Sequence, residues 1–106
     1  MDPVYDAVII GAGPAGLMAA AQCAAEGRNV LVCEKMKKPG LKLRITGKGR
    51  CNITNSADKK EFLKRFGTNS RFLKYAFSEF FNTDLLRFFE TLGVTFKCER
   101  GGRHFP

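Results

Sequence analysis

The sequence is poor in the residues that hold metal ions in proteins. It contains one histidine, His104, and four cysteines, none of which form a CxxC pair. Structural zinc sites need clustered Cys and His ligands, so we expect no metal site. Scattered free thiols are typical of a reducing compartment, and we therefore expect a cytoplasmic protein. The cysteines are Cys23, Cys33, Cys51 and Cys98.

A continuous hydrophobic run long enough for a membrane span is also absent. Residues 8–25 carry no charge, but three glycines and a proline interrupt them and two aspartates precede them. A signal peptide has positive charge before its apolar stretch, and a transmembrane helix needs about 20 apolar residues. We therefore expect neither a targeting segment nor a membrane partner.

Acidic residues are scarce relative to basic ones, with 10 Asp and Glu against 18 Lys and Arg, which gives a net charge of +8. Such an excess is compatible with a nucleic acid, an acidic membrane or a phosphate-rich cofactor as partner. Much of the excess lies within residues 35–50, where a solvated basic loop would also explain it. No nucleic-acid recognition motif is present and the phenylalanines have helical core spacing, so we expect no nucleic-acid partner.

The first third of the chain has the pattern of a βαβ unit. Tyr5–Ile10 and Asn29–Glu34 are apolar runs typical of buried parallel strands, and the alanine-rich Pro14–Glu26 between them favours a helix. We therefore assign residues 1–34 to a Rossmann-like dinucleotide-binding unit of an α/β protein.

The remaining residues are predicted to form a loop, three helices and a third strand. Residues 35–57 are a Gly-rich, basic cofactor loop with a short strand at Leu43–Thr46, and residues 58–106 are a helical excursion with the third strand. The predicted helices are Asp58–Phe66 with Asp58 as N-cap, Ser70–Phe81, and Asp84–Leu92 with Asn82 or Thr83 as N-cap. Alternation over Val94–Glu99 predicts a half-buried strand at a sheet edge, while Phe81, Leu85, Phe88 and Leu92 share one helical face and are assigned to core packing.

The turn between the first strand and helix reads GxGxxG, which in this context binds the phosphates of a dinucleotide. Its first glycine permits the turn, its second lets the backbone approach a pyrophosphate, and its third allows close packing of the helix on the strand. Glu34 ends the second strand, where a carboxylate would accept hydrogen bonds from ribose hydroxyls. This pattern suits FAD and NAD equally. The residues of the turn are Gly11, Ala12, Gly13, Pro14, Ala15 and Gly16.

A second glycine-containing string, GLKLRITGKGRCNITN over residues 40–55, separates the two cofactors. Together with the GAGPAG turn and the closing GRHFP at 102–106, it resembles the BaiN-type NAD(P)/FAD-dependent oxidoreductases. The resemblance spans the chain and implies bound FAD, with NAD(P)H as electron donor and an organic acceptor. Candidate FAD contacts in and near this string are Lys35, Lys42, Gly49, Arg50, Cys51, Asn52 and Thr54.

Several roles follow from the same string. Arg50 offers a forked donor for phosphate oxygens, and Asn52 and Thr54 can hydrogen-bond the flavin or its ribityl chain. A CxxxxC redox pair starting at Cys51 would need a thiol at position 56, which is Ser56. We therefore expect no dithiol mechanism, and we assign no catalytic residue to this chain.

The sheet implied by this pattern is incomplete. In a doubly wound sheet the first strand is central, and only one neighbour for it is predicted here. We therefore expect a truncated doubly wound domain, inactive by itself, with catalytic groups beyond Pro106 and self-association through an unpaired strand edge. Two other functions remain open: an NAD-binding dehydrogenase domain without flavin, and a basic nucleic-acid interaction module.

Overall fold

A computed structural model describes residues 1–106. The chain forms two compact units, residues 1–49 and residues 50–106. The division falls within the predicted cofactor loop, between Gly49 and Arg50. No helix is both long and apolar enough to cross a membrane.

The first unit contains the predicted βαβ arrangement. Strand β1 (Ala7–Ile10) pairs in parallel with β2 (Val30–Cys33), and helix α1 (Pro14–Ala25) connects them. Gly27 follows the helix with a φ of +75°, and its N–H donates to the carbonyl of Ala24 at 2.9 Å. A glycine in this conformation ends a helix because it adopts positive φ without a steric penalty. The α/β Rossmann-like prediction is thereby confirmed.

Strand β1 has a hydrogen-bonded neighbour on one side only, in a two-stranded sheet. Two of its apolar side chains are exposed, and Ile10 has 81% of its surface accessible. An exposed apolar edge of this kind favours pairing with another strand. Self-association through it stays a prediction.

The strand predicted at Leu43–Thr46 is wrong, because residues 41–49 contain a helix. They form α2 (Leu41–Gly49), which begins where the N–H of Arg44 donates to the carbonyl of Gly40 at 3.1 Å. The side chain of Thr46 then bonds the carbonyl of Leu43 at 2.6 Å, a local contact that competes with strand pairing. Within these bounds the backbone is not helical at Thr46, Gly47 and Lys48, and the last two residues have φ of 58° and 57°.

The second unit contains a three-stranded antiparallel sheet in the order β3–β5–β4. The strands are β3 (Thr54–Asn55), β4 (Lys97–Glu99) and β5 (Arg103–Phe105). The predicted strand at Val94–Glu99 is shortened to its last three residues, which lie at a sheet edge as expected. Thr54 and Cys98 are both paired with His104, on opposite sides of β5.

Three helices lie between β3 and β4 along the chain: α3 (Lys59–Lys64), α4 (Ser70–Glu79) and α5 (Asn82–Thr91). Asp58 caps α3 as predicted, because its side chain accepts a hydrogen bond from the N–H of Glu61 at 2.8 Å. Phenylalanine rings from α3, from α4 and from residues just after α3 and just before α5 form a cluster with centroids 5.3–6.2 Å apart, which is the range of favourable aromatic pairs. The cluster consists of Phe62, Phe66, Phe77 and Phe81.

The start and end of α5 differ from the prediction. Neither Asn82 nor Thr83 is the N-cap; Phe81 occupies that position, and its N–H donates to the carboxylate of Asp84 at 2.8 Å. The Nδ2 group of Asn82 instead makes tertiary contacts, while its Oδ1 accepts a hydrogen bond from the N–H of Thr83 at 2.7 Å. Leu92, predicted to lie in the core, is 67% exposed because the helix ends before it.

Asn82 connects α5 to the chain after β3. It is 7% exposed, and its Nδ2 donates to the carbonyls of Asn55 at 2.7 Å and Ala57 at 2.9 Å. A buried amide with two partners stabilises the fold because its removal leaves both carbonyls without their donor.

We expect Asn82→Ala to lower the free energy of unfolding by about 2 kcal/mol, the usual cost of orphaning buried polar groups. Urea denaturation followed by circular dichroism measures this change. Thr83→Ala, at the exposed neighbouring position, is the control and should change stability by less than about 0.5 kcal/mol. Equal effects of the two substitutions would contradict the role given to Asn82.

Candidate functional site

The glycine turn of the first unit presents the N-terminus of α1. Gly11 has a φ of +97°, and its N–H donates to the carbonyl of Cys33 at 2.7 Å, which holds the turn against the end of β2. Gly13 is the N-cap and Pro14 the first helical residue. The first intrahelical bond runs from the N–H of Leu17 to the carbonyl of Gly13 at 2.9 Å. The preceding N–H groups of the first turn are left for an anionic ligand.

The second and third glycines of the turn serve different purposes. A Cβ on Gly16 would collide with the carbonyl oxygen of Gly11, so the missing side chain is what lets α1 pack against the turn. A Cβ on Gly13 would meet no protein atom within 4 Å. Open space over Gly13, beside the N-terminus of a helix, is the cradle that a pyrophosphate requires. The residues present therefore fit the ADP portion of a dinucleotide.

Glu34 lies beside this turn. Its Oε1 accepts a long hydrogen bond from the N–H of Ala12 at 3.4 Å. Ala12 is 3% exposed, and its carbonyl accepts from the N–H of Gly40 at 2.7 Å. This contact between Gly40 and the turn is not predicted by the sequence pattern. Lys35 and Lys42 are exposed.

Arg50, in the second unit, is held by two neighbours. Its Nη1 donates to both oxygens of Glu99, at 3.1 and 2.9 Å, and its guanidinium lies 4.1 Å from the centroid of the Phe105 ring. The sequence predicted Arg50 as a phosphate ligand. Glu99 would compete with a phosphate for this guanidinium, and sequence reasoning did not identify Glu99.

Asn52 and Thr54 hold the start of the sheet. In the amide orientation that satisfies both neighbours, Nδ2 of Asn52 donates to the carbonyls of Thr54 at 3.1 Å and His104 at 3.3 Å. Thr54 pairs with His104 in β3–β5. Hydrogen bonds from these two residues to FAD would be made in addition to these protein contacts, and they stay a prediction.

Cys51 lies within the string, and His104 pairs with Thr54 of the string across the sheet; both are reactive residue types. Cys51 is half-buried with a φ of +62°, a conformation unusual for a residue with a side chain. His104 places its Nδ1 3.1 Å from the carbonyl of Gly102. All four cysteines are free, and no three His, Cys, Asp or Glu side chains are grouped as metal ligands.

Residues 55–56 and 101–102, near the two ends of the second unit, are joined by hydrogen bonds that the sequence did not predict. Asn55 Nδ2 donates to the carbonyl of Gly101 at 2.8 Å, and the N–H of Ser56 donates to the carbonyl of Gly102 at 2.8 Å. A Cβ on Gly102 would lie 2.5 Å from Oγ of Ser56. The string of polar residues at 52–56 and the closing glycines are thus one structural element.

Comparison with known protein families agrees with this geometry. The family model described as the HI0933-like protein Rossmann domain matches residues 5–106. The chain belongs to this family. Members of the HI0933-like family are FAD-dependent oxidoreductases of the BaiN type, so the resemblance seen in the sequence is confirmed.

Curated relatives of this chain are named as enzymes. The chain is 35% identical over 102 residues to the ribosomal RNA dihydrouridine synthase of Escherichia coli, covering 95% of this chain and 25% of that protein. It is 34% identical over 100 residues to the 3-dehydro-bile acid delta(4,6)-reductase of Clostridium scindens, covering 92% and 24%. It is also 56% identical over 43 residues to the thioredoxin reductase of Ureaplasma parvum, covering 41% and 14%. The chain therefore spans about a quarter of the length of the first two relatives.

We expect Gly16→Ala to destabilise the protein by about 3 kcal/mol, because the new methyl group collides with backbone that cannot rotate away. In a helix without this close contact the same change would stabilise the protein by about 1 kcal/mol. The sign of the stability change therefore tests the contact between Gly16 and the carbonyl of Gly11. Thermal unfolding monitored by circular dichroism gives the measurement. Gly13→Ala is the matched control: its methyl group meets no protein atom, so only the loss of about 0.5–1 kcal/mol that alanine causes at an N-cap is expected for it.

Proposed function

We propose that this chain binds FAD as part of a flavin-dependent reductase that uses NAD(P)H to reduce an organic acceptor. The observation that supports this most directly is the open first turn of α1 at Gly13, with the carboxylate of Glu34 beside Ala12. The N–H groups of that turn would bind the pyrophosphate, and Glu34 would accept hydrogen bonds from the adenosine ribose. Bound flavin would supply hydride transfer.

Glu34 also determines which dinucleotides suit the first unit. A 2′-phosphate on the ribose would be repelled by a carboxylate at the end of β2, so NADP is disfavoured there. An NAD-binding domain without flavin would use the same turn. It would leave the string at 47–55 without a ligand, and membership of a family of FAD-dependent oxidoreductases favours flavin.

The names of two relatives indicate a reaction class. Making dihydrouridine from uridine and reducing a delta(4,6) bile acid both saturate a carbon–carbon double bond. We propose an activated carbon–carbon double bond as the acceptor. The assigned cofactor contacts include no general acid or base, so a different group would supply the proton that accompanies hydride transfer.

Cys51 has no role in electron transfer under this proposal. A dithiol mechanism needs a second thiol in reach, and the CxxxxC position holds Ser56. We propose that Cys51 is a packing and backbone-contact residue of the flavin-binding string. The four free cysteines suit the reducing cytoplasm, where we place the enzyme.

A titration with FAD tests the proposed cofactor. The intact protein should retain a visible flavin spectrum after desalting, and Gly13→Ala should bind FAD at least about tenfold more weakly, because its methyl group occupies space that the pyrophosphate needs. The folded state should not change, since that methyl group meets no protein atom. Tighter binding of NADH than of FAD would instead favour the NAD-only domain.

Anaerobic reduction tests the reaction. The flavin of the intact protein should be bleached by NADH or NADPH and reoxidised by an enone steroid or a uridine-containing RNA, with the saturated product found by mass spectrometry. Bleaching by neither nicotinamide would refute the proposed donor. Reoxidation by a disulfide substrate, but by neither unsaturated compound, would refute the proposed acceptor class.

A further inference from the structure

Glu99 ends β4 and reaches a residue 49 positions earlier in the chain. Its neighbour across the sheet is Arg103, but Nε of Arg103 donates to the carbonyl of Arg100 at 3.0 Å. The carboxylate of Glu99 instead accepts two hydrogen bonds from Arg50, at 3.1 and 2.9 Å. Among the sequence-predicted cofactor contacts, Arg50 is the only one that forms an ion pair with a carboxylate.

The guanidinium of Arg50 is fixed from a second direction by β5. It lies 4.1 Å from the ring centroid of Phe105, a residue that is 4% exposed. A planar cation that is both stacked on an aromatic ring and bonded to a carboxylate has a defined orientation. Two strands therefore hold the residue that immediately precedes Cys51 and Asn52.

The backbone after Arg50 needs such support. Cys51 has a φ of +62°, a conformation that costs a residue with a side chain about 1–2 kcal/mol. Asn52 follows it and bonds the carbonyl of His104 through its side chain. Contacts on both sides of Cys51, at Arg50 and at Asn52, lead to the same sheet.

We propose that Glu99 is a positioning residue for FAD binding, which acts by holding Arg50 and through it the backbone of residues 50–52. The assignment rests on the proposed function. It differs from the role that the sequence suggested for Arg50, in which the guanidinium itself bonds a phosphate and Glu99 would be a competitor for it.

The two roles predict opposite effects of removing the carboxylate. If Arg50 were a phosphate ligand restrained by Glu99, Glu99→Gln would release it and FAD would bind more tightly. If Glu99 positions the string through Arg50, the same change weakens FAD binding. Because the amide of glutamine has the shape of the carboxylate, the substitution removes the charge without creating a cavity.

The experiment compares four variants of the intact protein: Glu99→Gln, Arg50→Gln, the double variant, and Glu61→Gln. The last is the matched control, because Glu61 is also a paired carboxylate of the second unit, with Lys64 and Arg65 as partners. FAD affinity is measured by fluorescence quenching of the apo-protein, at a temperature at which circular dichroism shows every variant folded. Visible circular dichroism of the saturated complex reports the flavin environment.

We expect Glu99→Gln to weaken FAD binding about fivefold, the upper range for a partly exposed ion pair, and to alter the visible circular dichroism. Arg50→Gln should do the same, and the double variant should be no weaker than either single one. Glu61→Gln should match the wild type. An effect on stability alone would leave the affinity and the flavin spectrum of the folded variants unchanged.

Unchanged or tighter FAD binding by Glu99→Gln would overturn the assignment, as would additive effects of the two single changes. If Glu99→Gln did not fold, Arg50→Gln and Arg50→Lys would decide the question. Lysine keeps a charge for a phosphate but lacks the planar group that stacks on Phe105, so wild-type affinity in Arg50→Lys would also overturn it. Failure of the wild-type protein to bind any FAD would refute the proposed function itself.

Discussion

The contact between Gly16 and the carbonyl of Gly11 is the constraint on which the first unit depends. Helix α1 can start directly after β1 only because no side chain separates the two backbones at this point. Gly13 is the N-cap of α1, so the open space over it lies at the N-terminus of that helix. A phosphate site then needs no charged side chain, since the N–H groups and the helix dipole supply the attraction.

A different constraint organises the second unit. Its short strands are held by amide side chains and by glycines that lack a Cβ, as at Asn55, Asn82 and Gly102. Strands of two or three residues have few ladder hydrogen bonds, so side-chain amides must satisfy the remaining backbone carbonyls. The polar string at residues 52–56, which resembles a cofactor loop, is therefore also a structural element, because its residues make hydrogen bonds within the second unit.

Local patterns predicted the parts of this fold that depend on local physics. The βαβ unit, the cap at Asp58 and the edge strand at Glu99 follow from periodicity and short-range hydrogen bonds, and all appear in the structure. The strand predicted at Leu43–Thr46 is wrong because a run of only four residues cannot be assigned to a strand or to a helical turn without knowing its hydrogen-bond partners. The N-cap of α5 failed because the amide of Asn82 bonds to distant carbonyls.

The sequence alone determined the family, the cofactor class and the glycine turn, because each depends on residues adjacent in the chain or on a contiguous string. Tertiary structure decided how the second string is used. The sequence predicts Arg50 as a hydrogen-bond donor to phosphate oxygens. In the structure its guanidinium is bonded to Glu99, 49 residues away, and stacked on Phe105. Partners this distant are set by strand pairing and side-chain packing, which no local pattern records.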